Sequence, residues 1–286
     1  MPIRPQVSIV GSGSLANSLV PILHKSGYTI SEIISRDSPR SRRSANQLAA
    51  KVGASAVVAK TAKLDAALLW FCVPDREIRS AAATLARRAT GKVRFAFHSS
   101  GALKSGELDP LRKSKRGIAV ASVHPLMTFV PGSHPSLQGV PFAVEGDAPA
   151  LRVARSVVRD LGGESFSIPP GRKSAYHAWA TLTSPLFLAF LVTLEEAARA
   201  AGLTQADARR KSSPIIRQTL ENYLDLGPRR SFSGPIIRGD AETVAKHLAV
   251  LRKHSEARDV YLALARSALR GLPVKNRKEL SRLLQA

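Results

Sequence analysis

Short apolar runs alternate with amphipathic stretches through the first half of the chain. The amphipathic stretches have the period of a helix and lie at residues 17–25, 41–52, 75–88 and 150–161. The apolar runs have the length of strands and lie at residues 7–10, 28–35, 66–73, 93–97, 118–123, 142–145 and 165–168. The run at 66–73 is continuously apolar, as expected for a strand that is covered on both faces. This alternation predicts an α/β fold with a doubly wound parallel sheet.

The pattern changes after Pro169, Pro170 and Gly171, which together break the chain. Beyond this point the apolar positions have helical spacing only. The predicted helices lie at residues 173–201, 205–226, 241–253 and 256–269, with a short one near the end. The sequence therefore predicts two domains, an α/β domain at residues 1–168 and an all-α domain at residues 169–286.

One apolar stretch, residues 178–194, carries no charged side chain. A membrane span needs about 20 such residues, and this stretch is shorter and contains Pro185. We therefore interpret it as the buried central helix of the helical domain, partly covered by a second subunit, and not as a membrane span.

Composition places the chain among ordinary globular proteins, with 44% hydrophobic and 22% charged residues. Cys72 is the single cysteine, so no internal disulfide can form, and the expected compartment is the reducing cytoplasm. The histidines are scattered without the spacing of metal ligands, so the sequence predicts no metal site.

The chain is strongly basic, with 43 Lys and Arg against 21 Asp and Glu, a net charge of +22. These residues are spread along the whole sequence, and only 5% of residues are aromatic, few for a base-stacking platform. A small anionic substrate explains this balance better than nucleic acid does. Nucleic-acid binding is kept as a third alternative.

A glycine motif, G-x-G-x-x-A, directly follows the first apolar run and opens the first helix. It consists of Gly11, Ser12, Gly13, Ser14, Leu15 and Ala16. The first glycine permits the tight turn, the second lets the backbone approach a pyrophosphate, and the alanine keeps the helix close to the sheet. A helix N-terminus offers unpaired N–H groups to the phosphates. In this context the motif predicts a dinucleotide site.

The end of the second predicted strand bears on the choice between NAD and NADP. An NAD enzyme usually has an acidic residue there, which holds the ribose hydroxyls. This chain has Ser35 and Arg36, and Asp37 follows one residue late. A serine and an arginine suit a 2′-phosphate, so NADP(H) is the predicted cofactor and NAD(H) the alternative.

Further motifs occur in a fixed order along the chain. They are Phe71-Cys-Val-Pro74-Asp75, His98-Ser-Ser-Gly101-Ala102, His124-Pro125-Leu-Met-Thr128-Phe129 and Tyr176-His177-Ala178. In their order and spacing, the chain resembles the Rossmann-like proteins that carry the C-terminal domain of unknown function 2520. It is more distantly similar to ketopantoate reductases, pyrroline-5-carboxylate reductases and the 6-phosphogluconate dehydrogenase superfamily. The resemblance covers nearly the whole chain.

This resemblance implies a Rossmann domain followed by a helical domain like that of 6-phosphogluconate dehydrogenase, and a nicotinamide cofactor. It leaves the substrate unassigned. There is one departure, since Ser184-Pro185 stands where the family commonly has Ser-Asn. The chain therefore lacks an amide there for contact with substrate or nicotinamide, and this departure is the basis of the non-catalytic alternative given below.

Candidate catalytic residues lie on the first helix after the domain break. Lys173 and His177 are four residues apart and therefore share one helix face. The resemblance implies that a lysine on this helix and a polar group one turn later handle substrate and proton. An ammonium stabilises an alkoxide, and an imidazole relays protons near neutral pH. The alternative is a surface lysine and a structural histidine.

Other candidates follow predicted strands, whose carboxyl ends are where ligands bind in an open α/β sheet. His124 and Ser100 are candidates for the proton and for a substrate hydrogen bond, and Ser99 is a candidate for cofactor contact. The loop at Val73 and Pro74 is expected to pass over the adenosine and ribose side of the cofactor. Asp75 is expected to cap the next helix.

The leading hypothesis is therefore an NADP(H)-dependent oxidoreductase that reduces a small 2-oxo acid or imine by hydride transfer. We expect a homodimer, because long apolar helices in the superfamily that the chain resembles often pack across a two-fold axis. The alternative is a non-catalytic protein that binds NADP(H) or a metabolite.

Overall fold

The computed structural model describes residues 4–114 and 117–285. The chain divides into two compact units, the first extending to Thr181 and the second beginning at Leu182. The first unit therefore includes Lys173 and His177, which the sequence prediction places in the second domain.

The first unit is built on an eight-stranded sheet. In chain order the strands are β1 (Val7–Val10), β2 (Ile30–Ser35), β3 (Ser55–Val58), β4 (Leu68–Phe71), β5 (Phe95–His98), β6 (Ala119–Pro125), β7 (Pro141–Gly146) and β8 (Glu164–Ser167). Their spatial order is β3-β2-β1-β4-β5-β6-β7-β8. The order reverses at β1, so the predicted doubly wound α/β fold is confirmed.

Two features of the sheet differ from the prediction. β3 is missing from the predicted strands, because it is only four residues long and its side chains are half-buried or exposed. β7 runs antiparallel to β6, although the other neighbouring strands are parallel. No helix connects β6 to β7, and a parallel return needs a crossover connection, so the chain turns back beside β6.

Helices cover both faces of the sheet in the first unit. They are α1 (Ser14–Lys25), α2 (Pro39–Ala50), α3 (Asp75–Ala86), α4 (Asp109–Arg112) and α5 (Ala148–Asp160), and α6 (Lys173–Thr183) runs through the division between the units. One apolar core packs under α1, α2 and α5, and a second packs under α3 and α4. Trp70 and Phe97, both fully buried, meet edge-to-face in the first core.

The second unit is helical. Its helices are α7 (Pro185–Ala198), α8 (Gln205–Leu226), α9 (Pro228–Ser231), α10 (Pro235–Arg238), α11 (Ala241–Val250), α12 (Ser255–Gly271) and α13 (Arg277–Gln285). Val244, Leu262 and Leu280, from α11, α12 and α13, lie in its core. The single helix predicted at 173–201 is wrong, because Ser184 interrupts it. Proline has no N–H and disfavours helical backbone in the preceding residue, so Pro185 begins a new helix.

The apolar stretch at 178–194 is not buried within the chain, contrary to the prediction. Leu182 is 63% exposed and Leu188 is 62% exposed. Glu195, which is paired with Arg209, is the buried residue of α7, and the core of this unit is supplied mainly by α11, α12 and α13. Within the described part of the chain, α6 and α7 and the residues that flank them, taken together as residues 170–201 across the break at Ser184, are long and apolar enough to span a membrane, judged by length and composition alone.

Candidate functional site

The glycine motif lies between β1 and α1, as its spacing predicts. Gly11 has a φ of +107°, and a Cβ there would collide with the carbonyl oxygen of Cys72, so only glycine fits. Gly13 is the N-cap of α1, and a Cβ there would meet no atom within 4 Å. This second glycine therefore faces open space, where a ligand can approach the helix N-terminus.

A cleft of about 880 Å³ opens in front of this motif. Seven of the residues predicted to bind a cofactor line it: Gly11, Ser12, Gly13, Ser35, Arg36, Val73 and Pro74. The Ser12 carbonyl accepts hydrogen bonds from Asn17 Nδ2 at 3.0 Å and Ser44 Oγ at 2.8 Å. The turn is thus held by the two helices that follow β1 and β2.

The other predicted cofactor residues lie elsewhere. Ser14 and Leu15 are in the first turn of α1, and Ala16 is fully buried against the sheet. Ser99 Oγ accepts a hydrogen bond from Trp70 Nε1 at 2.8 Å. Ala16 thus packs as the motif expects, whereas the Ser99 hydroxyl is already bound by the protein.

The end of the cleft beside β2 is rich in cations. Arg36 and Arg40 line it, and so does Lys60, which follows β3. Asp37 also lies there, but its carboxylate is bound by Arg42 Nη2 at 2.6 Å. Arg36 is exposed and contacts Glu77 at 3.0 Å. Of the two acidic residues that line this end of the cleft, Asp37 is thus paired with Arg42 and Glu77 with Arg36.

Lys173 begins α6 and is only 1% exposed. Its ammonium donates hydrogen bonds to the Ser100 carbonyl at 2.8 Å and to Ser122 Oγ at 2.5 Å. Burial lowers the pKa of Lys173 from 10.5 to about 8, and the charges of Glu145 and Asp75 oppose that fall. The lysine is thus a buried group that titrates close to neutral pH, and not a surface residue.

Three buried polar residues, His98, Ser122 and Glu145, form a row across β5, β6 and β7, which we call the polar row. His98 is the register partner of Ser122, and Ser122 is the partner of Glu145. Partners on neighbouring strands project to the same face of a sheet. All three are at most 4% exposed, and Lys173 contacts the middle one.

Ser100 links the lysine to the cleft. Its Oγ donates to Asp75 Oδ2 at 2.7 Å and accepts from the Leu103 N–H at 2.9 Å. Asp75 follows Pro74, which lines the cleft. The expectation that Asp75 caps α3 is wrong, since Pro74 occupies the N-cap position and the Asp75 side chain binds Ser100 instead. Lys173 is therefore connected to the cleft wall through two hydrogen bonds, its own to Ser100 and that of Ser100 to Asp75.

His124 stands at the end of β6, next to α6. Its Nδ1 shares a hydrogen bond with the Tyr176 hydroxyl at 2.7 Å. Burial, with the charge of Lys173 as a second cause, lowers the pKa of His124 to about 4, so its imidazole is neutral at pH 7. Burial raises the pKa of Tyr176 to about 12, so its hydroxyl keeps its proton.

Gly101 has no side chain, and this leaves room for the His124 and His177 rings. A Cβ at Gly101 would lie 2.6 Å from His177 Cδ2 and 2.8 Å from His124 Nε2. The His177 and His124 rings are 6.3 Å apart, edge to face. The four residues predicted to be catalytic, Lys173, His177, His124 and Ser100, thus lie in one cluster.

Sequence reasoning did not select Tyr176, Ser122, Asp75 and Glu145 as functional residues. Tyr176 lies three residues after Lys173, a helical neighbour that the spacing rule points to. Ser122 and Glu145 carry no local signal, since their role depends on strand register. Throughout residues 4–114 and 117–285, no group of three or more His, Cys, Asp or Glu side chains is arranged to hold a metal ion.

Residues 140–268 match the model of the family described as the domain of unknown function DUF2520, so the resemblance is confirmed. A search of curated proteins gave no match. Among solved structures, a candidate NADP oxidoreductase from Bacteroides fragilis is similar, with a TM-score of 0.75, 19% identity, and coverage of 92% of this chain and 97% of the other.

A protein from Thermotoga maritima is similar at a TM-score of 0.71 and 23% identity, over 98% of both chains. An imine reductase from Myxococcus stipitatus, solved in complex with NADP+, is similar at a TM-score of 0.65 and 14% identity, over 98% of this chain and all of the other. At these identities the likeness establishes the fold.

Proposed function

We propose that this chain is an NADP(H)-dependent reductase that acts on a small substrate with a C=N or C=O bond. The observation that carries the proposal is the position of Lys173. A buried ammonium, next to two histidines and a tyrosine, lies beside a cleft built on a dinucleotide-binding turn. Such a pairing of cleft and titratable cluster is typical of an active site.

The residues present fit a dinucleotide. Gly11 and Gly13 leave the backbone N–H groups at the start of α1 open to a pyrophosphate. Arg36, Arg40 and Lys60 line the end of the cleft beside β2, and their positive charge supports a 2′-phosphate there and thus NADP(H) over NAD(H). When bound, NADPH supplies the hydride, and the side chains described below handle the substrate and its proton.

The pKa values favour one proton donor. A general acid works best when its pKa lies near the working pH. Tyr176, with a pKa of about 12, holds its proton too tightly, and His124, with a pKa of about 4, is already neutral. Lys173, with a pKa of about 8, carries three N–H protons and uses two in hydrogen bonds to Ser100 and Ser122. We assign it the proton delivered to the reduced nitrogen or oxygen.

The His124–Tyr176 pair orients the site in this scheme. Its hydrogen bond fixes the imidazole ring, and the edge of His124 with Nε2 lies against Gly101. His177 closes the same side of the cluster and is a candidate contact for the substrate. The net charge of +22 supports an anionic substrate, and the likeness to an imine reductase supports a C=N bond.

The first test is a titration of the purified chain with NADPH and with NADH, followed by reduced-cofactor fluorescence. We expect NADPH to bind more tightly. Cyclic imines and 2-oxo acids are then screened for oxidation of NADPH. Binding of neither nucleotide would refute the reductase proposal, whereas binding without turnover of any substrate would favour the non-catalytic alternative.

Arg36→Ala tests the phosphate assignment. A lost charge-assisted contact weakens NADPH binding by roughly tenfold or more and leaves NADH binding within about twofold. Arg43→Ala is the matched control, because Arg43 is exposed on the same helix as Arg40 but does not line the cleft. If Arg36→Ala weakened the binding of NADPH and of NADH equally, this would contradict a 2′-phosphate at this position.

We also propose that two copies associate through the helical unit. Exposed apolar side chains cluster on α7 and α8, including Leu188 at 62%, Val192 at 52%, Ile215 at 67% and Leu224 at 77% exposure. Apolar surface of this kind marks an interaction site.

Light scattering after size exclusion is expected to give twice the chain mass, and Leu188→Glu is expected to give the single-chain mass. Gln218→Glu places the same charge at an exposed polar position of α8 and is expected to leave the dimer intact. A monomeric wild-type chain would exclude this association.

A further inference from the structure

Glu145 is a buried carboxylate whose hydrogen bonds come from a single uncharged residue. One oxygen accepts from the Ser105 N–H at 2.5 Å, and the other accepts from Ser105 Oγ at 2.9 Å. Within the described residues, no Lys or Arg nitrogen lies within 4.0 Å of it. Arg112 donates to Ser105 Oγ at 3.4 Å, but its charge is already paired with Asp109 and Asp147. An unpaired charge buried to this degree is costly, so it needs a compensating charge.

The polar row supplies that compensation. Glu145 is the cross-strand partner of Ser122, so their side chains lie next to each other on one face. Ser122 Oγ accepts the hydrogen bond of the Lys173 ammonium at 2.5 Å. The two buried charges are therefore separated by one serine side chain.

Several titratable groups surround the ammonium. Asp75 approaches from α3, His98 from β5, His124 from β6, Glu145 from β7, and Tyr176 and His177 from α6 itself. The two carboxylates differ in their solvent exposure. Asp75 is exposed, so water screens its charge, whereas Glu145 is 4% exposed and its charge is screened less.

We infer that Glu145 is a positioning residue that holds Lys173 in its charged form, acting across Ser122 from the neighbouring strand. Without the Glu145 charge, the buried lysine loses its proton at lower pH, and its ammonium no longer pairs firmly with Ser100 and Ser122. The consequence for proton delivery rests on the proposed function. The effect of the Glu145 charge on Lys173 does not rest on the proposed function, and it is measurable without cofactor or substrate.

The experiment is a pH titration of the protein labelled with carbon-13 at the lysine ε carbons. The Lys173 signal is identified as the one that is missing from the spectrum of Lys173→Met. The wild-type midpoint is expected near 8. Glu145→Gln, which keeps the shape and removes the charge, is expected to lower it by about one unit or more. Glu145→Asp, which keeps the charge, should stay within about half a unit of wild type. Glu164→Gln, an exposed carboxylate on β8, is the matched control and should leave it unchanged.

An unchanged midpoint in Glu145→Gln would overturn the inference. So would a larger change in Glu145→Asp than in Glu145→Gln, because that order indicates a role of shape and not of charge. If Glu145→Gln does not fold, the double variant Lys173→Met/Glu145→Gln removes both charges and is expected to recover cooperative unfolding. Failure of that recovery would equally overturn it. A shifted lysine midpoint in a protein that binds neither nucleotide would refute only the proposed function.

Discussion

Lys173→Met is expected to lower the rate of substrate reduction by at least about 100-fold, the lower range for loss of a general acid. NADPH binding should change little, because Lys173 lies outside the lining of the cleft. Turnover is measured as loss of NADPH absorbance with the best substrate from the screen. Lys92→Met, which replaces an exposed lysine of the same unit, is the control and should retain full activity.

The effect of the same variant on stability combines two opposed contributions, removal of the buried ammonium and loss of the cation that compensates the Glu145 charge. Because burial lowers the pKa of Lys173 to about 8 from 10.5, the folded state binds fewer protons than the unfolded state between these pH values. Wild-type stability therefore rises with pH across that window. Below the window, the full free-energy cost of burying the Lys173 ammonium is present. At pH 7, Lys173→Met removes a penalty of the order of 3 kcal/mol. This figure precedes any change in packing and the opposing cost of leaving the Glu145 carboxylate without its cation.

Urea unfolding at pH 7 and pH 10 separates an effect of Lys173→Met on stability from its effect on turnover. The wild type is expected to gain stability between these values relative to Lys173→Met. A variant that is inactive and also unfolded would show that the lysine is structural. A stable variant with normal turnover would exclude Lys173 as the proton donor.

Gly13→Asp is expected to abolish binding of both nucleotides. The new carboxylate would project into the cleft, where nothing lies within 4 Å, and would repel the pyrophosphate. Repulsion between two charges near a protein surface is worth about 4 kcal/mol at 4 Å, so binding should fall by more than about 100-fold. The variant should fold normally, since the φ of −78° and ψ of −171° at this N-cap suit aspartate, a preferred capping residue.

Gly13→Asn is the matched control for this change. Asparagine has nearly the same shape and capping ability as aspartate and carries no charge. We expect it to weaken NADPH binding less than Gly13→Asp does. Unchanged NADPH binding by Gly13→Asp would show that the nucleotide phosphates do not bind at this turn.

The sequence predicted the fold wherever the signal was local and strong. α8 has the predicted ends, Gln205 and Leu226, because Thr204 caps its start and Gly227 ends it. β4 was predictable because a strand covered on both faces is apolar throughout. β3 was missed because a short, half-exposed edge strand has no such pattern. Pro185 was visible in the sequence, but its effect on the long helix was underestimated.

The same distinction between local and long-range signals applies to the candidate site. The glycine turn is local, so its position after β1 followed from the order of residues alone. The Lys173–Ser122 contact joins residues 51 positions apart, and the His124–Tyr176 contact joins residues 52 apart. Both depend on which strands are neighbours and in what register. Only the folded sheet shows that His98, Ser122 and Glu145 form a row beneath the lysine.

The polar row also constrains how this sequence can diverge. A glutamate in the middle of a buried sheet is tolerable only while a cation lies close to it, since its charge would otherwise be uncompensated in a core. Loss of the lysine at position 173 therefore selects against the glutamate at position 145 and leaves the serine at position 122 without one of its hydrogen-bond partners. Among relatives of this chain, these three positions should vary together, and proteins with an apolar residue at 173 should have apolar residues in the row.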